Sequence, residues 1–96
     1  MRAREALEQH REEIRRIVLA HKAENPRVFG SVATGTDDED SDLDLLIDPL
    51  QGMSFIDLNV MANELESLLG ISVDVITARS LNVRYRDRVL SEASTV

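Results

Sequence analysis

The sequence contains no cysteine, and this absence removes several kinds of chemistry at once. Disulfides, thiolate zinc sites and a cysteine nucleophile are excluded, which leaves carboxylates, two histidines and hydroxyls as the reactive side chains. The chain also lacks a run of about 18 apolar residues, so no transmembrane helix is predicted. Its first five residues, from Met1 to Glu5, lack the apolar stretch of a secretion signal, and we therefore expect a cytoplasmic location.

The length of 96 residues is sufficient for one hydrophobic core and excludes a two-domain enzyme. With 43% hydrophobic and 30% charged residues, the chain has enough apolar material for a packed interior. We therefore expect residues 1–96 to form a single domain that folds alone or in a small assembly.

The charge of the chain is −7 and is concentrated in one short segment. A net negative charge argues against an extended nucleic-acid surface. An acidic run is most often a solvated loop, but here its second half alternates with leucines, which favours a strand. The segment contains seven acids and no base: Asp37, Asp38, Glu39, Asp40, Asp42, Asp44 and Asp48.

Apolar periodicity and breaker residues predict the order α-β-β-α-β-α. Steps of three or four indicate a helix over 3–21, and the proline at 26 ends it. A short apolar run after the proline indicates a brief buried strand over 27–30, and alternation indicates strands over 42–48 and 71–77. Ser54 and Asp57 resemble a capping box for a helix that runs to Leu69, with Gly70 as its C-cap. Ser80 is expected to cap a last helix that runs to about Ala93. This order predicts a two-layer α/β (α+β) domain with a small mixed sheet and flanking helices.

Three aspartates lie on two of these predicted strands. Asp42 and Asp44 are two residues apart, so both side chains leave the same face of the sheet about 7 Å apart along the chain. Asp74 interrupts an apolar strand, where a buried carboxylate needs a partner. Carboxylate oxygens favour magnesium or manganese, and three of them could hold two ions about 4 Å apart, as in phosphoryl-transfer sites.

A glycine and a serine, Gly30 and Ser31, follow the first predicted strand. A glycine at a strand end lets the backbone approach a ligand closely, and the neighbouring N–H groups and hydroxyl can bind phosphate oxygens. This holds above all where a short helix begins after the serine. Taken alone, a Gly-Ser pair more often marks an ordinary turn, and Asp-x-Asp is also common in exposed acidic loops.

The combination of these features is much more specific. Gly30-Ser31, ten further residues, Asp42-Leu43-Asp44, and an acid in a later apolar strand resemble the Gly-Ser-x10-Asp-x-Asp signature of the DNA polymerase beta nucleotidyltransferase superfamily. Length and element order resemble its smallest members, the minimal nucleotidyltransferases, which are the MntA-like antitoxins encoded beside HEPN-domain toxins. The resemblance covers essentially the whole chain and implies the nucleotidyltransferase fold.

The resemblance also implies an activity and its site. Asp42, Asp44 and Asp74 would be the catalytic and metal-binding residues, holding two Mg²⁺ ions or Mn²⁺, and Gly30 and Ser31 would bind the nucleotide. AMP would pass from ATP to a hydroxyl, expected to be a tyrosine, of a HEPN ribonuclease toxin encoded by a neighbouring gene. The chain would thereby act as the antitoxin. Neither a membrane partner nor an extended nucleic-acid partner is expected, and a homo-oligomer is allowed.

One departure from the family pattern supports an alternative. Many minimal members carry an arginine after the alanine of this loop, whereas this chain has Thr34, which cannot supply a fixed positive charge. The chain could then be a non-catalytic antitoxin that neutralises its partner by binding, with a vestigial nucleotide site. A third alternative, transfer to a small molecule such as an aminoglycoside, would need an additional acceptor-binding domain, for which 96 residues leave little room.

Overall fold

The computed structural model describes residues 3–35 and 42–96. Within these ranges the helices are α1 (Ala3–Gln9), α2 (Arg11–Ala20), α3 (Ser31–Thr34), α4 (Phe55–Leu69) and α5 (Val83–Glu92), with one 3₁₀ turn at Ala78–Ser80. The strands are β1 (Ala23–Phe29), β2 (Leu43–Pro49), β3 (Val73–Thr77) and β4 (Ser94–Thr95). No helix in the described ranges is both long and apolar enough to cross a membrane.

The four strands form one mixed sheet in the order β3-β2-β1-β4. Strand β1 runs antiparallel to β2 and β4, whereas β2 and β3 are parallel. The parallel connection from β2 to β3 passes through α4, as a crossover between parallel strands requires. The predicted mixed sheet with flanking helices is therefore confirmed.

The hydrophobic core lies between one face of this sheet and the helices α2 and α4. Leu43, Leu45 and Ile47 of β2 are fully buried there, as the alternating pattern predicts. They belong to one cluster with residues of α2 and α4: Ile14, Val18, Met61, Leu65 and Leu69. Leu46, on the opposite face of β2, is also fully buried. Strand β2 is thus the centre of the fold, and its position is fixed by burial on both faces.

Helix α4 has the termini that its sequence predicts. The Ser54 hydroxyl accepts a hydrogen bond from Asp57 N at 3.3 Å, and the Asp57 carboxylate accepts one from Ser54 N at 2.9 Å. This reciprocal pair satisfies two backbone donors that the first turn leaves without a helical partner. At the other end Gly70 adopts a φ of 71°, the left-handed conformation of a glycine C-cap. Helix α4 packs along β3.

The predicted first helix over 3–21 is wrong in one respect, because it breaks at His10 into α1 and α2. The two parts contact different elements. Helix α2 packs on β1, whereas Arg4 of α1 reaches α3, where its Nη2 donates to the Val32 carbonyl at 2.6 Å. Helical spacing within one segment cannot reveal such a division between two tertiary partners.

The first strand begins earlier than predicted, at Ala23 rather than residue 27. The pairing register with β2 shifts between Glu24 and Arg27, and Asn25 has a φ of 53°, so the strand contains a bulge. A proline lacks a backbone N–H and is tolerated at such a bulge. The carbonyl of Pro26 accepts a hydrogen bond from Val96 N at 3.0 Å, which ties the last residue to β1.

The last helix was also predicted with the wrong start. Its N-cap is Asn82, whose side chain accepts from Arg84 N at 2.9 Å. Ser80 instead lies in the 3₁₀ turn, and its hydroxyl is 3.1 Å from that of Thr77. The short strand β4 after this helix and the short helix α3 were absent from the predicted element order.

Candidate functional site

Asp44 and Asp74 lie side by side on the central strands. They are register partners in the parallel pairing of β2 with β3. Since Leu43 and Leu45 face the helical core, Asp44 between them faces the opposite side of the sheet. Asp42 immediately precedes β2 and is two residues from Asp44. The structure thus places the three aspartates that the sequence suggested near one another, although their side chains do not converge on one point.

Asp44 is the least solvated of these three carboxylates. It is half-buried, whereas Asp42 and Asp74 are exposed. Burial raises the pKa of the Asp44 carboxyl above its ordinary value, and the negative charges of Asp74 and Asp42 raise it further. The arrangement therefore disfavours the charged form of Asp44 unless positive charge is supplied.

Gly30 packs directly against this carboxylate. It follows Phe29, the register partner of Asp44, and has a φ of 70°. A Cβ atom at Gly30 would collide with Oδ2 of Asp44 and would lie 3.4 Å from its Cγ. The positive φ favours glycine, and a Cβ at this position would force the Asp44 carboxylate to shift. The two halves of the Gly-Ser-x10-Asp-x-Asp pattern are therefore in contact in the fold.

Ser31 begins α3, so a short helix follows the glycine turn. Val32 anchors this helix by inserting into the hydrophobic core, where it is 2% exposed. The acidic loop that contains Asp37, Asp38, Glu39 and Asp40 lies outside the described residues.

The donor chemistry of the cluster suits a hard divalent cation. The three candidate ligands are carboxylates, and two of them are exposed and able to rotate. In the described part of the chain no three acidic or histidine side chains already converge closely enough to hold an ion. A bound cation would therefore have to draw Asp42 and Asp74 toward Asp44, and it would relieve the repulsion among them.

Arg4 is a feature of this region that the sequence did not suggest. Its Nη2 donates to the Val32 carbonyl of α3, and a Cβ atom at Gly35 would lie 3.8 Å from the same nitrogen. A guanidinium from α1 thus lies beside α3 and Gly35, the segment that contains Thr34. Residues 28 positions apart make this contact, and no local sequence pattern predicts it.

The family profile of the nucleotidyltransferase domain matches residues 7–95 of the chain. The chain belongs to the nucleotidyltransferase family. Among individual relatives, a protein of Methanocaldococcus jannaschii named as a candidate protein adenylyltransferase is 40% identical over 80 residues, which cover 83% of this chain and 86% of the relative. The protein adenylyltransferase MntA of Thermococcus cleftensis is 37% identical over 89 residues, covering 84% of this chain and 90% of MntA.

Solved structures of this family share the fold. One named as a candidate minimal nucleotidyltransferase has a TM-score of 0.83 at 40% identity, covering 97% of this chain and 93% of its own. A complex of tri-AMPylated Shewanella oneidensis HEPN toxin with MNT antitoxin has a TM-score of 0.69 at 19% identity, covering 92% of this chain and 69% of that chain. A toxin–antitoxin structure with AMP-PNP has a TM-score of 0.71 at 20% identity, covering 97% of this chain and 71% of that chain. The last two similarities concern the fold alone.

The raised pKa of Asp44 predicts that Asp44→Asn stabilises the metal-free protein at neutral pH. The proton on folded Asp44 contributes stability below the ordinary aspartate pKa near 3.8, and this contribution is lost as the pH rises through the raised value. Asparagine removes the destabilisation caused by the ionised carboxylate at neutral pH. At low pH, where the carboxyl is protonated, the substitution should change the stability little. Because the carboxyl is only half-buried, we expect a gain of about 1 kcal/mol or less in urea unfolding with EDTA present.

Asp48→Asn is the matched control on the same strand. Its carboxylate accepts from Arg27 Nη2 at 2.6 Å and from Asn25 Nδ2 at 3.0 Å, so this substitution should lower the free energy of unfolding by up to about 1 kcal/mol. If the free energy of unfolding changed in the same direction in both variants at neutral pH, the result would contradict a destabilising repulsion at Asp44.

Gly30→Ala should destabilise the protein more than Gly70→Ala. The two glycines have φ values of 70° and 71°, so alanine suffers similar backbone strain at both. At Gly70 a Cβ meets no atom within 4 Å, whereas at Gly30 it meets Asp44. We expect Gly30→Ala to cost about 1–2 kcal/mol more in urea unfolding. Equal losses would show that Gly30 does not constrain Asp44.

Proposed function

We propose that this chain is a metal-dependent protein adenylyltransferase. It transfers AMP from ATP to a hydroxyl of a HEPN ribonuclease toxin, a tyrosine, and so acts as the antitoxin of that partner. The observation that carries the proposal is the position of Asp44, which pairs in register with Asp74 and packs against Gly30. The names of the relatives support the same chemistry, since one is protein adenylyltransferase MntA and another is an MNT antitoxin bound to an AMPylated HEPN toxin.

The three aspartates have distinct proposed roles. Asp42, Asp44 and Asp74 would hold the metal ions, and Asp74 would also serve the acceptor side of the site. When bound, magnesium supplies positive charge that offsets the charge of the triphosphate and lowers the pKa of the acceptor hydroxyl. Gly30 and Ser31 orient the β and γ phosphates at the end of β1.

The reaction forms one bond and breaks another. The acceptor oxygen attacks the α-phosphorus of ATP, a new oxygen–phosphorus bond forms, and the bond to the bridging oxygen of the β-phosphate breaks. Pyrophosphate leaves, and Asp74, which is exposed, can take the proton of the acceptor hydroxyl. The adjacent Asp44 would hold the cation with its carboxylate, whose charged form is disfavoured by burial and by the neighbouring acids in the metal-free protein.

A second candidate function is neutralisation by binding alone. It is motivated by Thr34, which lacks the charge of the arginine common in minimal nucleotidyltransferases. Arg4 weakens this argument because its guanidinium supplies a positive charge beside the segment that contains Thr34. The first candidate is therefore the stronger one.

The test is the intact mass of the HEPN-domain protein encoded beside this chain, after incubation with this chain, ATP and magnesium. We expect mass gains in units of AMP that disappear with EDTA. Asp42→Asn and Asp74→Asn should each slow the transfer by at least about 100-fold, because metal binding and proton transfer are lost. Asp48→Asn, on the same strand but bonded to Arg27, should retain the wild-type rate.

Two results would contradict the proposal. Unmodified partner together with a stable complex on size exclusion would establish an antitoxin that works by binding. Undiminished transfer by Asp42→Asn would remove the aspartates from the mechanism.

A further inference from the structure

A groove runs along the outer side of β3, beside the candidate site. Strand β3 is an edge strand of the described sheet, paired with β2 on its inner side. Helix α4 forms the other wall, and the groove has a volume of about 480 Å³. Asn59 and Asn63 line it from the helix and Asp74 lines it from the strand. The groove therefore opens directly onto one of the three carboxylates.

The backbone of β3 can accept a further strand at this edge. Leu43 N donates to Ser72 O, so the backbone groups of residues 72, 74 and 76 face β2. Those of Val73, Val75 and Thr77 then face outward. At the start of the edge, Val73 N already donates to Glu66 Oε1 of α4 at 3.3 Å, so an added strand would pair with the outward backbone groups of Val75 and Thr77.

The charge of the groove selects the kind of segment that fits it. Its charged lining residues are Glu66 and Asp74, both acidic, and the polar ones are two asparagines and a serine. Phe55, which is 83% exposed, adds an apolar surface to the lining. A segment with basic residues and at least one aromatic side chain complements these features.

We propose that this groove binds an extended, positively charged segment of the partner protein, which adds to β3 as a further strand and presents the acceptor hydroxyl at Asp74. This inference rests on the proposed adenylyltransferase function and names the surface that receives the acceptor. Main-chain hydrogen bonds to an edge strand supply affinity for extended peptides, and the flanking side chains supply specificity.

The strand order supports an approach of the acceptor from the β3 side of the sheet. Gly30 lies at the end of β1, on one side of Asp44, and the groove lies beyond β3 on the other side. The nucleotide and the acceptor would therefore reach the carboxylates from opposite sides. Phosphoryl transfer requires this separation, because the attacking and leaving oxygens lie roughly in line across the phosphorus. Alternate side chains of an added strand would share the face of Asp74.

The kinetic test uses Asn63→Arg, which places a positive charge in the groove. We expect the KM for the HEPN partner to rise about tenfold by repulsion of the basic segment, with the KM for ATP unchanged. Val60→Arg is the control, because Val60 lies on the same helix and does not line the groove. An unchanged KM for the partner, an equal effect of Val60→Arg, or a raised KM for ATP alone would overturn the proposal.

A crosslinking test locates the partner without relying on transfer. Because the chain has no cysteine, Asn63→Cys provides a single attachment point for a benzophenone maleimide. Irradiation in the presence of the HEPN partner should link this position to the peptide that contains the acceptor tyrosine, and Val60→Cys should not give that product. A crosslink to another region of the partner, or no crosslink, would contradict binding of the acceptor segment in this groove. Absence of AMP transfer by the wild-type chain would instead overturn the proposed function.

Discussion

The repulsion centred on Asp44 is the constraint on which the candidate site depends. Its carboxylate is half-buried beside Asp74 and Asp42, and both burial and the neighbouring charges raise its pKa. Without a bound cation this arrangement does not stabilise the fold, because each negative charge disfavours ionisation of the neighbouring carboxyls. Under the proposed function, a divalent cation with a triphosphate would convert the same geometry into a binding site. The cost in the metal-free fold and the proposed affinity for a cation therefore have one cause.

The remainder of the fold keeps the backbone of Asp44 beside that of Asp74. Strand β2 is buried on both faces, so its leucines hold Asp44 in register with β3. Gly30 closes the other side, where any larger residue would displace the carboxylate. The core thus supplies rigidity on one face of the sheet, and the opposite face carries the candidate carboxylates. Strand order separates the glycine turn from the groove beside β3, which would give the proposed nucleotide and acceptor different routes.

Local patterns in the sequence were sufficient for the central elements. Alternation in β2 predicted which side chains face the core, and the capping box with Gly70 predicted both ends of α4. The features that were missed depend on distant contacts. The bulge that admits the proline into β1 is fixed by pairing with β2 and by Val96, and β4 exists only through pairing with β1. The contact of Gly30 with Asp44 was likewise not predicted, since the sequence suggested approach to a ligand.

The central claim is that the aspartate cluster accepts a cation that relieves the repulsion at Asp44. It is tested most directly by thermal unfolding at neutral pH in increasing concentrations of magnesium chloride, for the wild-type chain and Asp44→Asn, with potassium chloride at equal ionic strength as reference. Binding to the folded state alone should raise the unfolding midpoint of the wild-type chain and leave that of Asp44→Asn unchanged. An equal rise in both proteins would contradict the claim, because magnesium would then act elsewhere.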